Sequence, residues 1–587
     1  NLKLNKGFEK MIKTSIFVLA SSLLSVSHGI GERVDRKMIE MRDGVKLHTV
    51  IAYPKDMKEG DKVTVIMDRS PYGADALELI NDIYLPYGFI TVGQDMRGTG
   101  QSQGNFTIWH ADADDSEDTG NWLIQQPWSN GVVFTFGASA DGLGAFTTVH
   151  NNPSWLGASY IVWSSSKLYE CVFPNGAYLA ALTDMWITST VPDDADASLA
   201  IIEENEMRTE WWDALDVTGL YGNIRAKSNF WAGWYDIFLV GNLAAYEGYN
   251  EESDPSVYHE SRLLVDPLGH CQDAEEYFTE DLVEGRTLLS LGMSLETFGV
   301  RPVYRSGILN VTFYVMSSND DVGKDVGQYW TTLERFPTPT MVKYYFQPDY
   351  SLTTTIPSSE EASLSTSFLH DPSDPIPTQG GSNLELPCGP LDQSEVDKRA
   401  DVIVFNTPVF TEELALTGPL FANLFVSSDC IDTDFMVRIS DVYPTGEVRL
   451  LQDSAIRMRW REGGLTPVYM EKTEVYEVEM TLWNTSYVVA PGHGLRVSIS
   501  SSNAPRFDVN RNNGILLADQ TPEDLNYTAT NTIFHSAQYP SSVVLPVVDK
   551  ATQLPEAHDI KEQVMKAYPK VDWDGVVKSS FSSKILI

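Results

Sequence analysis

A serine hydroxyl is a weak nucleophile until a neighbouring imidazole takes its proton. That imidazole in turn needs a carboxylate to fix its tautomer and stabilise its charged form. Three segments of the 587-residue chain offer these groups in turn. Ser139 stands in Gly137-Ala138-Ser139-Ala140-Asp141-Gly142, Asp236 in Gly233-Trp234-Tyr235-Asp236, and His270 in Asp266-Pro267-Leu268-Gly269-His270. The order Ser, Asp, His, each just past an apolar run, is one in which acyl-transfer triads recur. Gly137 and Gly142 leave the backbone free to make the strained turn that lifts a serine hydroxyl out of a sheet. Of ten histidines, His270 alone follows an apolar run through a Pro-x-Gly turn. His110 and His150 read as surface or core-satisfied imidazoles. The serine motif by itself also suits an ordinary strand-to-helix turn in a nucleotide-binding unit, and the other two segments weigh against that reading.

The elements that must position these residues are legible as a pattern. Val63–Met67 and Phe89–Val92 read as buried parallel strands and Asp115–Gln126 as an amphipathic helix. Val132–Phe136 is a further strand running straight into the serine turn, with an apolar helix behind it. From about Asn151 to Lys227 the periodicity turns helical and Trp-rich, with Met185, Trp186, Trp211 and Trp212, and shows no strand long enough to extend a sheet. Strands resume at Ser228–Trp234 and Arg262–Val265, each ending in a polar turn, and those turns carry Asp236 and His270. From about Thr331 onward, short β-rich runs such as Val402–Phe405 and Leu495–Ile499 recur between Pro, Gly and Asp turns, the signature of a β-sandwich. The Ser, Thr and Pro-rich stretch Ser351–Gln379 reads as a long connecting loop or wrap. At this length a single core is not expected.

Taken together the motifs resemble the cocaine-esterase and X-Pro dipeptidyl-peptidase hydrolases, the CocE/NonD family, over roughly Arg33 to Val548. They are Arg42-Asp43-Gly44-Val45-Lys46-Leu47, Arg69-Ser70-Pro71-Tyr72, Gln94-Asp95-Met96-Arg97-Gly98-Thr99-Gly100, Gln126-Pro127-Trp128-Ser129-Asn130-Gly131, the three segments above, Thr417-Gly418-Pro419, Asp432-Thr433-Asp434-Phe435 and Ser500-Ser501-Ser502-Asn503-Ala504-Pro505-Arg506-Phe507. The resemblance implies an α/β-hydrolase core with an inserted helical cap, followed by a C-terminal jelly-roll β-sandwich. It implies Ser139 as nucleophile, Asp236 as orienting carboxylate, His270 as base, and an oxyanion hole made by the Tyr72 hydroxyl and the backbone N–H of Ala140. The family often carries an aromatic residue directly after the nucleophile, where this chain has Ala140 and then Asp141. The donor N–H survives that change, and Asp141 is expected to point along the helix N-terminus, where a carboxylate is favoured.

The expected division is 1–29 upstream residues and signal peptide, 30–150 and 228–330 the two parts of the hydrolase core, and 151–227 the cap. The sandwich then takes 331–550, and 551–587 form a peripheral tail. Lys13, the apolar stretch Ile16–Val26 and Ser27-His28-Gly29 have the layout of a secretory signal, so the protein is expected to be secreted or periplasmic. Residues 1 to 10, ahead of Met11, are set aside from fold reasoning. No stretch reaches the roughly 18 apolar residues of a transmembrane helix, and no membrane partner is expected. A net charge of −39 repels phosphate backbones and excludes nucleic acid as a partner.

In an exported chain the four cysteines favour a Cys388–Cys430 disulfide, with Cys171 and Cys271 as buried thiols. Asn105, Asn310, Asn484 and Asn526 head glycosylation sequons. The run Asp112, Asp114, Asp115, Glu117, Asp118 lacks the spacing of a calcium loop and reads as a solvated helix start. Neither a metal nor any other cofactor is expected. The leading expectation is hydrolysis of a small ester or amide, or of a short peptide, through an acyl-enzyme. Ile237-Phe238-Leu239-Val240 after Asp236 lean toward a hydrophobic ester, while Glu170 or Asp184 in the cap offer carboxylates for a substrate α-amino group. X-Pro dipeptidyl-peptidase and amino-acid ester hydrolase or acylase activity are the alternatives. An exported binding protein with an inactive hydrolase half is an alternative of another class.

Overall fold

The computed structural model describes residues 33–575, apart from 75–77, 271–276, 279, 304–305, 322–323 and 359–363. The signal-like segment and Cys271 lie outside the described residues. The first half builds one mixed sheet. Strand β1 (Val34–Glu40) pairs antiparallel with β2 (Lys46–Ala52), and β2 pairs antiparallel with β4 (Ile90–Asp95). Then β4, β3 (Val63–Ser70), β5 (Ser129–Ala138), β6 (Leu156–Val162), β7 (Lys227–Gly233), β8 (Arg262–Asp266) and β9 (Val311–Ser317) run parallel side by side. β10 (Tyr329–Leu333) closes the edge antiparallel to β9. Parallel strands need crossovers, and the helices Asp112–Ile124, Ala140–Thr147, Leu239–Glu251 and Glu280–Thr297 lie between these strands in the chain. The strands are therefore buried on both faces; every residue of β4 and β9 is buried.

Strand β6 corrects the expectation that residues 151–227 hold no strand long enough to extend the sheet, and the cap begins only after Val162. Its Gly157-Ala158-Ser159 stretch shortens the apolar run, and small residues are needed there: a Cβ on Gly157 would meet Phe134 at 2.8 Å. Beyond it the cap helices Leu168–Val172, Ala180–Thr190 and Ala195–Glu204 bury Phe173, Ile187 and Ile202 around Trp212, in an apolar cluster that reaches Ala140, Leu143 and Phe238. The cap's core is thus continuous with the wall of the serine turn. The acidic run at the start of helix Asp112–Ile124 is also not simply solvated. Buried Arg69 pairs with Asp112 at 2.6 Å, Arg97 with Asp115 at 2.6 Å, and Arg42 with Asp114, Glu117 and Asp118.

The second half is a two-sheet sandwich. One sheet has the order β14 (Ile403–Asn406), β19 (Gly494–Ser500), β16 (Asp434–Val442), β17 (Val448–Arg457), all antiparallel. In the other, long β15 (Leu414–Ser428) pairs with β18 (Tyr476–Val489) along one edge and with β20 (Ala529–Phe534) and β21 (Ser542–Val547) along the other. β11 (Thr340–Phe346) joins β21, β12 (Leu352–Thr353) joins β11, and β13 (Ser365–His370) joins β20. The stretch expected as a connecting wrap therefore supplies two strands. The boundary expected at 331 falls inside β10, which belongs to the hydrolase sheet. Two parallel pairs, Tyr487 with Met316 and Val488 with Ser317, join β18 to β9 and so couple the two halves.

Two further expectations are corrected. Cys430 is a buried free thiol facing the Thr528 carbonyl, whereas Cys388 is disulfide-bonded, so the two are not joined to each other. Both lie in the β-rich half, but sequence proximity to one sheet does not set side-chain direction. Over its described residues, 551–575, the tail is not peripheral. In helix Ile560–Ala567, Ile560, Val564 and Ala567 form a buried stripe at helical spacing, and Val564 packs so closely on Gly292 that a Cβ there would meet it at 2.7 Å.

Candidate active site

Strand β5 delivers Ser139 directly onto the helix Ala140–Thr147. At φ 58° and ψ −123° Ser139 holds a conformation that non-glycine residues rarely adopt, so its side chain is thrust out of the sheet at some strain. The turn depends on glycines two positions before and three positions after the serine. A Cβ on Gly137 would meet the Asp141 carbonyl at 2.4 Å, and one on Gly142 would meet Ser164 at 2.5 Å. Asp236 and His270 sit in the turns after β7 and β8, two neighbouring strands, which brings residues 34 positions apart into contact.

His270 lies between the other two. Its Nε2 is 2.9 Å from Ser139 Oγ, and its Nδ1 bonds Asp236 Oδ2. The same Oδ2 accepts the His270 backbone N–H at 2.9 Å, and Oδ1 accepts the Phe238 N–H at 2.8 Å. All three side chains are buried. Gly269, at φ +64°, lets the loop pass against Asp236, where a Cβ would meet the carboxylate at 2.4 Å. Asp266 stiffens that loop: its Oδ1 accepts from Leu268 N and Gly269 N, and its Oδ2 from Trp231 Nε1 and Arg286 Nε. The imidazole is walled by Phe238 at 5.6 Å and Trp163 at 5.9 Å between ring centroids, which keeps water from its faces. A histidine so held can accept the serine proton and return it to a leaving group.

Tyr72 follows β3 in the turn Ser70-Pro71-Tyr72 with its hydroxyl in hydrogen-bond reach of Ser139, while Ala140 opens the helix, where first-turn N–H groups have no partner within the helix. The Tyr72 ring is exposed, but desolvation at its hydroxyl, and then the charge of Asp141, push the hydroxyl's pKa up, with Trp186 and Ser139 pulling the other way. Tyr72 is therefore a neutral donor at ordinary pH. Asp141 does not serve as a charged helix start. It is half-buried with its Oδ1 sealed from solvent, receives a hydrogen bond from Ser70, and its pKa is pushed well up by desolvation first and by the neighbouring Asp68 second. Desolvation outweighs the helix N-terminus here. The Oδ1 atoms of Asp68 and Asp141 are both buried without a hydrogen-bond partner among the described residues.

The cap carboxylates are only partly engaged, and Glu170 Oε2 is buried without a hydrogen-bond partner among the described residues. Glu170 Oε1 accepts from Arg208 at 3.1 Å, and Asp184 accepts from the Tyr178 hydroxyl at 2.6 Å. His110 lies tilted against Trp211, with ring centroids 4.4 Å apart. Sequence reasoning missed the aromatic surround: Phe106, Trp109 and Trp186 meet beside Tyr72. Two of them carried a signal, since Trp109 and Trp186 lie in aromatic-rich stretches, but nothing local says that the cap brings them together. Among the described residues no group of His, Cys, Asp or Glu has the arrangement of a metal site.

Comparison with known proteins places this geometry in company. Residues 43–200 match the model of the X-Pro dipeptidyl-peptidase (S15 family), and residues 310–544 that of the X-Pro dipeptidyl-peptidase C-terminal non-catalytic domain. The cocaine esterase of Rhodococcus sp. (strain MB1 Bresler) is 29% identical, across 87% of this chain and 98% of that protein. Among solved structures, an aminopeptidase from a marine sediment Thaumarchaeota archaeon superposes with a TM-score of 0.74 at 21% identity, covering 88% of this chain and 96% of that one. An α-amino acid ester hydrolase superposes with a TM-score of 0.73 at 20% identity, covering 90% and 99%. The structural likenesses are of fold.

Proposed function

From the premise that the chain is a serine hydrolase of the CocE/NonD family, we propose that it cleaves a small ester with an apolar acyl group through an acyl-enzyme on Ser139. The observation that carries the reading is the single imidazole of His270 in hydrogen-bond reach of Ser139 on one nitrogen and of Asp236 on the other. The Ser139 Oγ–H proton passes to His270 Nε2 as Oγ bonds to the substrate carbonyl carbon. The resulting oxyanion takes hydrogen bonds from the Tyr72 hydroxyl and the Ala140 N–H. On collapse the ester C–O bond breaks, and Nε2 returns the proton to the departing alkoxide. Water, deprotonated by the same nitrogen, then releases the acid. Asp236 keeps Nδ1–H directed at itself throughout and stabilises the imidazolium.

An ester is favoured over a peptide N-terminus because Ile237 and Phe238 next to the triad are buried and apolar. The signal-like segment supports export of the mature enzyme, which N-terminal sequencing of secreted protein tests. The function is tested by labelling with a fluorophosphonate probe, with Ser139→Ala as control, followed by aryl esters, amino-acid esters and X-Pro anilides as substrates. Labelling of wild type alone and turnover of the aryl esters are expected. Equal hydrolysis by Ser139→Ala would overturn the reading, and preferential cleavage of X-Pro anilides would replace the ester with a peptide substrate.

A further inference from the structure

The side chains behind the two oxyanion donors are both indoles, and the two indoles touch each other. Trp186 Nε1–H, from the cap helix Ala180–Thr190, donates to the Tyr72 hydroxyl oxygen at 2.8 Å, with the rings edge to face at 85°. Trp109 Nε1–H donates to the Ala140 carbonyl at 3.2 Å. The two rings stack on one another with centroids 5.4 Å apart and planes within 25°. Phe106 braces the pair, edge-on to Trp109 at 5.4 Å and tilted over Trp186 at 6.1 Å. Both Ile108 and Trp109 sit at positive φ, 50° and 61°, a costly conformation for large side chains, and buried Trp109 is held in it.

A phenol whose oxygen already accepts an N–H bond has its remaining lone pair and its O–H direction restricted, and hydrogen bonds in series reinforce one another. Without the Trp186 N–H the hydroxyl is free to rotate away from the reacting carbonyl. We infer that the stacked pair Trp109–Trp186 positions the oxyanion hole, Trp186 by fixing the Tyr72 hydroxyl from the cap and Trp109 by fixing Ala140 from the core. The inference rests on the assignment of Tyr72 and Ala140 as oxyanion donors. It makes a cap residue a determinant of turnover as well as of substrate fit, since the indole N–H acts on a donor and not on the substrate.

The test is a double-mutant cycle on the full chain with an aryl ester, reading kcat and KM separately. Tyr72→Phe is expected to lower kcat by about 10²-fold, as loss of an oxyanion donor does. Trp186→Phe keeps a ring and removes the N–H; it is expected to lower kcat by about tenfold with KM within about twofold, the scale of one hydrogen bond. In the Tyr72→Phe background Trp186→Phe should add nothing, because the oxygen it holds is gone. Trp109→Phe should lower kcat equally in both backgrounds, because it acts on the other donor. Full turnover in Tyr72→Phe would sink the donor assignment itself. A Tyr72→Phe defect with unchanged kcat in Trp186→Phe, or a Trp186→Phe defect that persists in the Tyr72→Phe background or falls on KM, would leave that assignment standing and overturn the role of the indole.

Discussion

Ser139, Asp236 and His270 each sit in a local pattern of strand, small residue and turn, which a chain shows without knowing its fold. Trp186 and Trp109 acquire their contacts only when the cap closes on the core, so their spacing carries no mark of it. The same holds for Asp68 and Asp141, on a strand and a helix 73 positions apart, whose buried oxygens face one another's charge. Burial pushes the Asp68 carboxyl up to about 7, and Asp141 is pushed up by burial and by Asp68 in turn. An unfolded aspartate has already lost its proton near pH 4, so between there and the folded value the unfolded state binds fewer protons. Stability therefore falls as pH rises through that window. Asp68→Asn, which cannot ionise, should melt higher than wild type at pH 8 and lose that advantage below about pH 4. Thermal unfolding across that range checks it, and a melting difference that does not depend on pH would show that Asp68 acts by shape alone.

At the scale of elements, strands that end in polar turns were readable because a buried parallel strand needs a continuous apolar run. β6 escaped notice because Gly157, Ala158 and Ser159 break that run where close packing on Phe134 demands small residues. The cap was readable from its tryptophans, which pack around Trp212. The C-terminal helix Ile560–Ala567 was missed although its stripe of Ile560, Val564 and Ala567 stood in the sequence, since a single short helix after a β-sandwich gives no hint that it returns to the first half. Its Ala567 carbonyl accepts from Val303 N at 2.8 Å, and Val564 fills the groove left by Gly292. Removing two buried methyl groups there should cost about 2 kcal/mol, so Val564→Ala should lower the melting temperature by a few degrees with kcat and KM unchanged. No change in melting would mean that the helix is a dispensable appendage after all.

At the scale of the whole molecule, the sandwich closes against the catalytic half at the very loop that carries Asp236. The Tyr235 hydroxyl donates to the Leu450 carbonyl at 2.7 Å and Gln452 Nε2 to the Trp234 carbonyl at 2.7 Å, so β17 braces the turn from outside. The cap is tied to the same sandwich through buried Glu206, which accepts from Arg459, Trp460 Nε1 and Leu517 N. A second tie between the halves is ionic. His493 of the sandwich is buried with Nδ1 2.9 Å from Asp441 and Nε2 3.4 Å from Asp321, which follows β9, while Tyr443 lies on its ring at 4.8 Å. Burial alone would lower the histidine's pKa, but the Asp441 hydrogen bond and the charges of Asp441, Asp321 and Asp320 together raise it. With the folded pKa above the unfolded one, the cation contributes its stability fully below the ordinary histidine value near 6.5, and that contribution is lost as pH rises through the folded value. Burial raises the Asp441 carboxyl, while the His493 hydrogen bond and charge pull it down. His493→Gln should therefore melt well below wild type at pH 6, and the gap should narrow toward pH 9. A gap that stayed constant from pH 6 to pH 9 would mean that His493 joins the halves as a neutral ring.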